Sequence, residues 1–526
     1  MPLFSAADAT FVRAVSRLNY ANPFLQERID LEREALGDQF MREGDSYWSF
    51  TREQSTRRRT NLVKIIERAL ITAQQVREKL VKGQAASDQE LLWYDDLVLY
   101  VLFYELLDDW GKRAVQSSNR EQADAKLWKH FAAQFDYWLR IPEQKFPSVD
   151  QPVQIFELFH QIYRAFFNIF ECVIGQSTPA AMLRARIWQS IFTHDLRRYR
   201  RSLYRTLNQV TTLITGPSGS GKELVAQAVG LSRYIPFEVQ QGKFVANPTQ
   251  GYSAINISAF SKSLVESELF GHAKGAFTDA GAARAGWLES SGEYGAILLD
   301  EVGELDPATQ VKLLRVLQNR QYQRIGETKI REFQGKIIAA TNRDLRKEIE
   351  SGNFREDLYY RLCADVIETP TLAAQVRDNP EVLDSLAQHI ARRLAPEEHE
   401  SIAADVIQWL QKNLPTDYHW PGNIRELEQC VRNVMICGSY MPANAIQNDA
   451  AMPSAGSPIS AEARYLSAQI DALSLTADEL LQQYCRIAYR RTKSFAKAAK
   501  LLQLDRRTVR AKADQGGSHD GAGSPV

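Results

Sequence analysis

The sequence predicts an α/β core, with a parallel sheet and a helical lid, between an all-α N-terminal domain and a small all-α C-terminal domain. Residues 1–170 contain four glycines and no proline between Pro23 and Pro142. The residues that commonly form tight turns between strands are therefore scarce. In residues 171–370, short β-rich runs alternate with helical patterns, which is typical of a parallel sheet covered by helices. The periodicity of residues 371–437 is helical again.

Length and composition exclude several classes of protein. A chain of 526 residues suits about three domains, each with its own core. The 64 basic and 64 acidic residues cancel, and 44% hydrophobic residues exclude a wholly disordered or collagen-like chain. The five cysteines form no C-x-x-C pair, so we expect a reducing compartment and neither a zinc site nor a disulfide framework.

The chain shows no export or membrane signal. Met1–Asn19 lacks a basic flank followed by an apolar run, so it does not read as a signal peptide. The most apolar stretch is interrupted by acids except over Leu97–Tyr104, which is far shorter than the roughly 20 residues that a spanning helix needs. We therefore expect a cytoplasmic protein with no membrane contact.

Apolar residues repeat at steps of three and four positions in the N-terminal domain and predict an amphipathic helix that faces a core. These residues are Leu62, Ile65, Ile66, Ala69, Leu70, Ala73, Val76 and Leu80. Five of the nine tryptophans also lie in residues 1–170, where they favour core packing over the alternative of a ligand pocket. The segment contains no catalytic motif.

A glycine-rich loop follows the predicted strand Val210–Thr215 and opens a helix near Glu223. Its residues are Gly216, Pro217, Ser218, Gly219, Ser220, Gly221 and Lys222. In this setting, backbone N–H groups would hold the phosphates of ATP and Lys222 would reach the β and γ oxygens. Glu223 stands where the generic loop has Ser or Thr for Mg²⁺, so the metal must depend more on other groups. The alternative is an ordinary glycine-rich turn.

Two carboxylates end the apolar run Ala296–Leu299. Downstream of a phosphate-binding loop, this pattern predicts that Asp300 holds Mg²⁺ through water and that Glu301 polarises the attacking water. Taken alone, the pattern would indicate only the end of a strand. Another predicted strand, Lys336–Ala340, would place Asn342 beside the γ-phosphate.

Two arginines, Arg355 and Arg361, lie six residues apart in a stretch suited to a packed helix. Arginines supply the positive charge that phosphoryl transfer needs, either in the same chain or from a neighbour. Either residue could instead be a surface ion-pair partner.

The segment Glu268–Ala280, ELFGHAKGAFTDA, resembles the signature loop of bacterial enhancer-binding proteins, the AAA+ activators of RNA polymerase carrying sigma-54. The resemblance covers about Val173–Cys437. It is reinforced by the motifs LLDEVGEL, KLLRVLQ, AATNRDL, GNFREDLYYRL and WPGNIRELEQ. It implies an AAA+ P-loop ATPase core, in which a glutamate typically follows the loop lysine, as Glu223 does here.

Position by position, the resemblance implies that Lys222 binds phosphate, Asp300 handles Mg²⁺ and Glu301 activates water. Asn256 matches the residue that restrains this glutamate until the ring is ready.

Asn342 matches sensor I of the family and Arg425 matches sensor II. Arg355 and Arg361 match the arginine fingers that reach the ATP of a neighbouring subunit. The resemblance therefore implies a homo-oligomer, with six subunits as the family expectation.

The resemblance assigns sigma-54 contact to one loop, in which an aromatic and a hydroxyl residue touch sigma-54 and remodel the closed promoter complex. The loop comprises Gly275, Ala276, Phe277, Thr278, Asp279 and Ala280. Asp279 replaces the second glycine of the usual GAFTGA, which restricts the backbone and adds a charge.

A basic run precedes the phosphate-binding loop in a segment longer than the family usually has. It comprises Arg197, Arg198, Arg200, Arg201 and Arg205. The run is either a solvated helix face or a contact with other subunits or with the N-terminal region.

The C-terminal end resembles a Fis-type helix-turn-helix, with a second helix capped by Asp505. Residues 485–512 hold ten basic side chains and one acid, which is the charge pattern of a DNA phosphate-binding surface. The candidate major-groove residues are Arg506, Arg507, Thr508 and Arg510. A solvated basic helix is the alternative.

The sequence therefore predicts an ATP-hydrolysing transcriptional activator that binds enhancer-like double-stranded DNA and acts on sigma-54 RNA polymerase. Its predicted domains are 1–170 (all-helical, regulatory), 171–370 (AAA+ α/β), 371–437 (AAA+ lid), 438–463 (linker), 464–514 (helix-turn-helix) and 515–526 (disordered tail). The N-terminal pattern is not that of a receiver domain, so a ligand or partner protein is the expected input. Two alternatives stay open: an AAA+ machine that remodels a non-sigma protein and is tethered to DNA, and a DNA-binding repressor whose ring mainly serves oligomerisation.

Overall fold

The chain divides into two units, Met1–Tyr440 and Met441–Val526. The computed structural model describes residues 2–42, 59–115, 120–247, 250–277, 280–442 and 475–514. The predicted tail, most of the predicted linker and the start of the predicted helix-turn-helix segment lie outside these residues.

The N-terminal region is helical, as predicted. Its helices are α1 (Ala6–Leu18), α2 (Gln26–Leu36), α3 (Thr60–Val81), α4 (Asp88–Val115) and α5 (Arg120–Leu139), with a short 3-10 turn at Gly37–Gln39. The predicted stripe on α3 faces the core at Ile65, Ala69, Ala73, Val76 and Leu80. Leu70 is the exception, because it lies on the outer side of the helix with 40% of its surface exposed.

Aromatic side chains fill the core of this region. Trp110 and Trp138 are buried, Trp93 and Trp128 pack against the same cluster, and Phe131 stacks at an angle on Phe135. The interpretation of the tryptophans as core residues is confirmed for these four. Trp48 lies outside the described residues.

Two helices connect the N-terminal region to the α/β core: α6 (Pro152–Cys172) and α7 (Thr178–Phe192). The predicted domain boundary at residue 170 falls within α6. Pro152 and Pro179 lie in the first turns of α6 and α7, where a missing N–H costs no hydrogen bond. Ser177 caps α7, because its hydroxyl oxygen accepts a hydrogen bond from the Ala180 N–H at 3.3 Å. Short helical turns follow at Leu196–Arg198, Tyr199–Leu203 and Leu207–Gln209.

A five-stranded parallel sheet forms the centre of the α/β core, with strand order β11-β1-β10-β7-β4. The strands are β1 (Thr212–Thr215), β4 (Tyr252–Asn256), β7 (Ala296–Asp300), β10 (Lys336–Thr341) and β11 (Asp365–Glu368). Four of them match, within two residues, the β-rich runs that the sequence predicts: Val210–Thr215, Ser253–Ile257, Ala296–Leu299 and Lys336–Ala340. The fifth, β11, was not predicted, because its sequence Asp-Val-Ile-Glu is short and lacks the continuous apolar character of the buried strands.

Helices and short hairpins surround the sheet. The helices are α8 (Lys222–Leu231), α9 (Lys262–Phe270), α10 (Trp287–Ser290), α11 (Pro307–Asn319), α12 (Leu345–Glu350) and α13 (Glu356–Leu362), with 3-10 turns at Ile257–Ala259 and Val302–Glu304. The antiparallel hairpins are β2 (Phe237–Glu238) with β3 (Lys243–Phe244), β5 (Gly271–His272) with β6 (Arg284–Ala285), and β8 (Gln321–Tyr322) with β9 (Arg331–Glu332).

The lid is a separate helical layer with its own core. It contains α14 (Leu372–Asp378), α15 (Val382–Leu394), α16 (His399–Asn413) and α17 (Asn423–Cys437). Leu372, Leu386, Val406 and Leu427 are buried in that core, and Trp420 packs against them with 3% exposure.

The second unit contains α18 (Ala477–Thr492), α19 (Phe495–Leu502) and α20 (Arg506–Asp514). Thr476 and Glu479 form a reciprocal capping box at the start of α18. Asp505 accepts the Arg507 N–H at 2.7 Å and caps α20, as predicted. Gln503 ends α19 with φ of 52°, the left-handed conformation in which a glycine usually stands.

Candidate functional site

The predicted phosphate-binding loop joins the end of β1, the strand between β11 and β10, to the start of α8. Gly216, Gly219 and Gly221 have positive φ. A Cβ on Gly216 would lie 2.1 Å from Thr369 Oγ1, and one on Gly219 would lie 2.3 Å from the Gly422 carbonyl oxygen. The loop is therefore held closely between the end of β11 and the lid, and only glycine fits at these two positions.

Lys222 points back into this loop. Its ammonium donates to the carbonyls of Gly216 at 3.0 Å and Pro217 at 3.2 Å, and the residue is 7% exposed. Burial lowers the Lys222 pKa, while the nearby carboxylates of Glu301 and Asp300 oppose the shift. A cation surrounded by loop backbone at a helix N-terminus suits the phosphates of a nucleotide.

The two predicted carboxylates stand at the end of β7, beside the phosphate-binding loop. Asp300 pairs in register with Asn256 of β4, whose Nδ2 donates to Asp300 Oδ2 at 3.4 Å. Glu301 has φ of 56°, an uncommon left-handed conformation for this residue, and accepts the Asn342 N–H at 3.3 Å. The Asn256 amide thus lies against Asp300 and not against Glu301, whereas the Asn342 backbone is the group that contacts Glu301.

The residues present fit a magnesium ion that is shared with a nucleotide. Burial raises the Asp300 pKa, and Lys222 opposes that shift, so a cation beside Asp300 would stabilise the ionised form. Among the described residues, no group of three or more acidic, histidine or cysteine side chains could hold a metal ion. Mg²⁺ commonly binds through one or two carboxylates and substrate phosphates, which is the arrangement this edge of the sheet offers.

The lid touches the phosphate-binding loop directly. Arg425 Nη1 donates to Ser218 Oγ at 3.2 Å, and the Ile424 N–H donates to the Gly219 carbonyl at 3.0 Å. Asn423, which sequence reasoning missed, donates from Nδ2 to the Ser218 carbonyl at 3.0 Å and accepts the Leu372 N–H at 3.0 Å. The φ of Asn423 is 53°, a left-handed conformation that asparagine tolerates. The Gly-Asn pair in the WPGNIRE motif is therefore the sequence feature that could have indicated a special backbone conformation here.

Thr369 is a second residue that sequence reasoning missed. It follows β11, is 2% exposed, and its hydroxyl lies 2.7 Å from Ser220 Oγ. Its N–H donates to the Thr215 carbonyl at 2.9 Å. Thr369 therefore fixes the loop against the sheet, but nothing in its local sequence indicates that role.

The two candidate arginine fingers lie apart from these groups. Arg355 forms a two-point ion pair with Asp357, with Nη2–Oδ2 at 2.7 Å and Nε–Oδ1 at 3.0 Å, and this hydrogen bonding raises the Arg355 pKa. Arg361 is exposed on α13. Within the described part of the chain, no hydrogen bond or ion pair joins either arginine to the phosphate-binding loop or to the two carboxylates.

The predicted sigma-contact loop lies between strands β5 and β6. The Gly275 N–H donates to the Ala280 carbonyl at 2.8 Å, which closes the base of the loop. Phe277 is 41% exposed and lies edge-on to His272 with ring centroids 5.0 Å apart. Ala276 lies beside Gly326 of the neighbouring β8–β9 loop. Thr278 and Asp279 lie outside the described residues.

The basic run before β1 is only partly a solvated face. Arg197 Nη2 lies 2.6 Å from Asp96 Oδ2, and Arg200 Nη1 donates to Ser148 Oγ at 3.2 Å. Both guanidinium groups also stand over the ring of Tyr20. These two arginines therefore bind the N-terminal region. The remaining three, Arg198, Arg201 and Arg205, are exposed.

The candidate DNA-contact residues share the open side of α20. All four are exposed: Arg506, Arg507, Thr508 and Arg510. Val509 is fully buried in the small core of the second unit. Arg506, Arg507 and Thr508 are thus accessible to phosphates and bases, whereas the Arg510 guanidinium also stands over the Phe495 ring, 5.9 Å from its centroid.

A parallel sheet with a phosphate-binding loop at the end of β1, two carboxylates at the end of β7 and a helical lid on the loop defines an AAA+ ATPase module. Residues 192–368 match the sigma-54 interaction domain family, and residues 377–450 match the AAA+ ATPase lid domain family. These two stretches of the chain are thus similar to the AAA+ modules of sigma-54-dependent regulators.

Several curated proteins are similar to this chain. The transcriptional regulatory protein ZraR of Escherichia coli K12 is 41% identical over 237 residues, which are 44% of this chain and 49% of ZraR. The sigma54-dependent transcriptional activator SfnR of Pseudomonas putida is 42% identical over 235 residues, which are 44% of this chain and 58% of SfnR. The chain spans about half the length of the curated relatives it matches.

Among solved structures, NtrX of Brucella abortus in complex with ATP is 23% identical, with a TM-score of 0.41 over 71% of this chain and 76% of that chain.

Within the described ranges, no helix combines the length and apolar character needed to cross a membrane.

Proposed function

We propose that this protein is an ATP-hydrolysing transcriptional activator that remodels sigma-54 RNA polymerase closed complexes through the Gly275–Ala280 loop. One observation carries the proposal. The loop, with Phe277 exposed, belongs to the stretch that matches the sigma-54 interaction domain, and Lys222, Asp300 and Glu301 of the same stretch meet at one edge of the sheet.

The residues support a direct in-line hydrolysis. Loop N–H groups and Lys222 bind the β and γ phosphates of ATP, and Arg425 of the lid completes the enclosure. Glu301 accepts a proton from water as the water oxygen bonds to the γ-phosphorus, and the bond to the β–γ bridging oxygen breaks, which yields ADP and phosphate. Mg²⁺, bound near Asp300, would supply charge neutralisation at the phosphates.

The exposure of Arg355 and Arg361 supports a homo-oligomer in which one subunit completes the site of the next. We propose a hexamer. The exposed basic face of α20 supports binding of double-stranded DNA, in which Arg506, Arg507 and Arg510 contact phosphates and base edges.

The ATPase assignment is tested by Glu301→Gln. The variant should bind a fluorescent ATP analogue like the wild type and lose turnover, because the amide cannot accept the proton. Glu304→Gln is a matched control, since Glu304 ends the 3-10 turn that directly follows Glu301 and instead pairs with Arg343. Unchanged hydrolysis by Glu301→Gln would refute the assigned site.

The coupling to polymerase is tested by Phe277→Ala. This variant should keep ATP hydrolysis and lose open-complex formation with sigma-54 polymerase in vitro. The replacement of the second GAFTGA glycine by Asp279 favours one alternative, an ATPase that remodels a non-sigma protein. Active wild-type ATPase without any open complexes would favour that alternative.

DNA binding is tested by single alanine variants of Arg506 and Arg507. Loss of a phosphate contact should weaken binding and reduce the slope of log affinity against log salt by about 1. Equal affinity and slope for the variants and the wild type would contradict the DNA-reading role of α20.

A further inference from the structure

Helix α6 carries four polar side chains on one face, at successive steps of four, three and four residues. They are Glu157, Gln161, Arg164 and Asn168. This spacing places them on one side of a helix. The first three are at most 8% exposed, so the face is buried and its polar atoms require partners.

The partners belong to the α/β core. Gln161 Nε2 donates to the Ser232 carbonyl at 3.0 Å, and Arg164 Nη1 donates to the Leu231 carbonyl at 2.8 Å. Arg164 Nη2 donates to the carbonyl of Arg233. Asn168 Nδ2 donates to Ser232 Oγ at 3.1 Å, so all three side chains converge on one point of the chain.

That point is the C-terminal end of α8, which ends at Leu231. The last carbonyls of a helix have no partners within the helix and carry its negative dipole end. The Arg164 guanidinium donates to the last of these carbonyls, that of Leu231. Gln161 and Asn168 bind the capping residue Ser232, whose hydroxyl donates to the Ala228 carbonyl of α8. Helix α6 acts as the C-terminal cap of α8 from a distant part of the sequence.

The opposite end of α8 is the phosphate-binding end, since the helix begins at Lys222. Ten residues of helix span about 15 Å, and a helix of this length moves as a rigid rod. Val225, Ala226 and Val229 bury its flank in the same core as Ala165 and Ile169 of α6. Helix α6 thus holds α8 both along its flank and at its C-terminal end.

Helix α6 also belongs to the N-terminal region. Ile155, Phe156 and Phe159 are buried in the aromatic core of that region, whereas Leu158, Ala165 and Ile169 are buried in the core of the sheet. One helix is therefore shared by both cores.

We propose that Gln161, Arg164 and Asn168 are positioning residues for ATP: they hold the C-terminal end of α8, and the loop at its other end keeps its phosphate-binding geometry. The N-terminal region is in this way a structural part of the nucleotide site. This inference rests on the proposed ATPase function.

The test is Arg164→Met in the full-length protein, which keeps the length and volume of the side chain and removes its donors. Both the KM for ATP and the Kd of a fluorescent ATP analogue should rise about tenfold, with a smaller change in kcat. Arg164→Lys keeps a cation and donors, so it should recover part of the affinity.

Arg184→Met is the matched control. Arg184 is a buried arginine of α7 whose Nε donates to the Val173 carbonyl at 3.1 Å and which also donates to the Gly175 carbonyl, so it has the same chemistry and these two carbonyls lie outside α8. It should lower the melting temperature like Arg164→Met and leave the KM and Kd unchanged. Where Arg164→Met fails to fold, the milder Gln161→Ala and Asn168→Ala variants should raise the Kd.

Equal KM and Kd in folded variants of the α6 face and in the wild type would overturn the inference. If the wild-type protein binds the ATP analogue but does not hydrolyse ATP, the proposed ATPase function is overturned. The Kd values of the variants then decide the inference about α6 by themselves. Absence of analogue binding by the wild type would overturn both.

Discussion

Arg197, which precedes the sheet, donates to Asp96 of α4 at 2.6 Å, and Asp96 is completely buried. Asp96 also accepts from Ser16 Oγ at 2.5 Å and from the Tyr20 hydroxyl at 2.7 Å. Burial, followed by the Asp96 charge, raises the Tyr20 pKa. The only cation that pairs with Asp96 among the described ion pairs comes from outside the N-terminal helices.

Arg197→Gln should therefore destabilise the protein by leaving Asp96 buried without its cation. The loss of a buried partner costs several kcal/mol, but the Arg197 side chain is 37% exposed, so we expect about 1–3 kcal/mol. Chemical denaturation measures the loss. Arg198→Gln is the control, since Arg198 is exposed, and should change stability by less than about 0.5 kcal/mol. The double variant Arg197→Gln/Asp96→Asn should be less destabilised than the sum of the single variants.

Lys336 makes stability depend on alkaline pH. The side chain is buried at the start of β10, donates to the Val210 carbonyl at 2.8 Å, and has its pKa lowered by burial from 10.5 to about 8. Asp365 opposes this shift, whereas Arg233 and Arg320 add to it.

The unfolded state therefore binds more protons between pH 8 and 10.5, so the free energy of unfolding should rise with pH in that window. The gain is about 3 kcal/mol. Lys336→Met cannot titrate at this position. The free energy of unfolding of the wild type should therefore rise relative to that of the variant between pH 8 and 10.5. Urea denaturation at a series of pH values measures it, and parallel pH profiles for the two proteins would contradict the assignment.

The sequence predicted those features whose causes are local. The strands β1, β7 and β10 contain apolar runs, β4 is a short run with Tyr252 and Ile255, and Lys222, Asp300 and Glu301 stand at positions that the flanking strands and helix define. The helical N-terminal region followed in the same way from the scarcity of glycine and proline.

The features that were missed depend on contacts between distant segments. Thr369 meets the phosphate-binding loop only because β11 pairs with β1, and Arg164 meets α8 only because α6 lies in both cores. The Asp-Val-Ile-Glu sequence of β11 carries no apolar run, although Asp365 is held by Arg186 and Thr212. Local patterns do not encode such partners.

Asn423 gives a prediction that separates backbone strain from hydrogen bonding. Asn423→Ala loses two hydrogen bonds and forces alanine into a left-handed conformation, whereas Asn423→Gly loses the same bonds without the strain. Left-handed geometry costs a non-glycine residue about 1–2 kcal/mol, so Asn423→Ala should be less stable than Asn423→Gly by about that amount. Thermal or urea unfolding of the two variants measures the difference, and equal stability would show that the backbone relaxes.

The proposed arrangement of arginine fingers predicts that two inactive variants complement each other. Arg355→Ala lacks the finger and keeps Glu301, whereas Glu301→Gln keeps the finger and lacks the group that accepts the proton. If a neighbour supplies the finger, a site is active when its own Glu301 and its neighbour's Arg355 are both intact. Random mixing of equal amounts should then restore about a quarter of the wild-type ATPase rate per site.

Asp357→Asn is a useful companion, because it removes the ion-pair partner of Arg355 and keeps the finger itself. A mixture as inactive as its components would indicate that each chain uses its own arginine or that the oligomer does not exchange subunits. Refolding the mixture from denaturant removes the second explanation, so a refolded mixture without activity would refute the finger in trans.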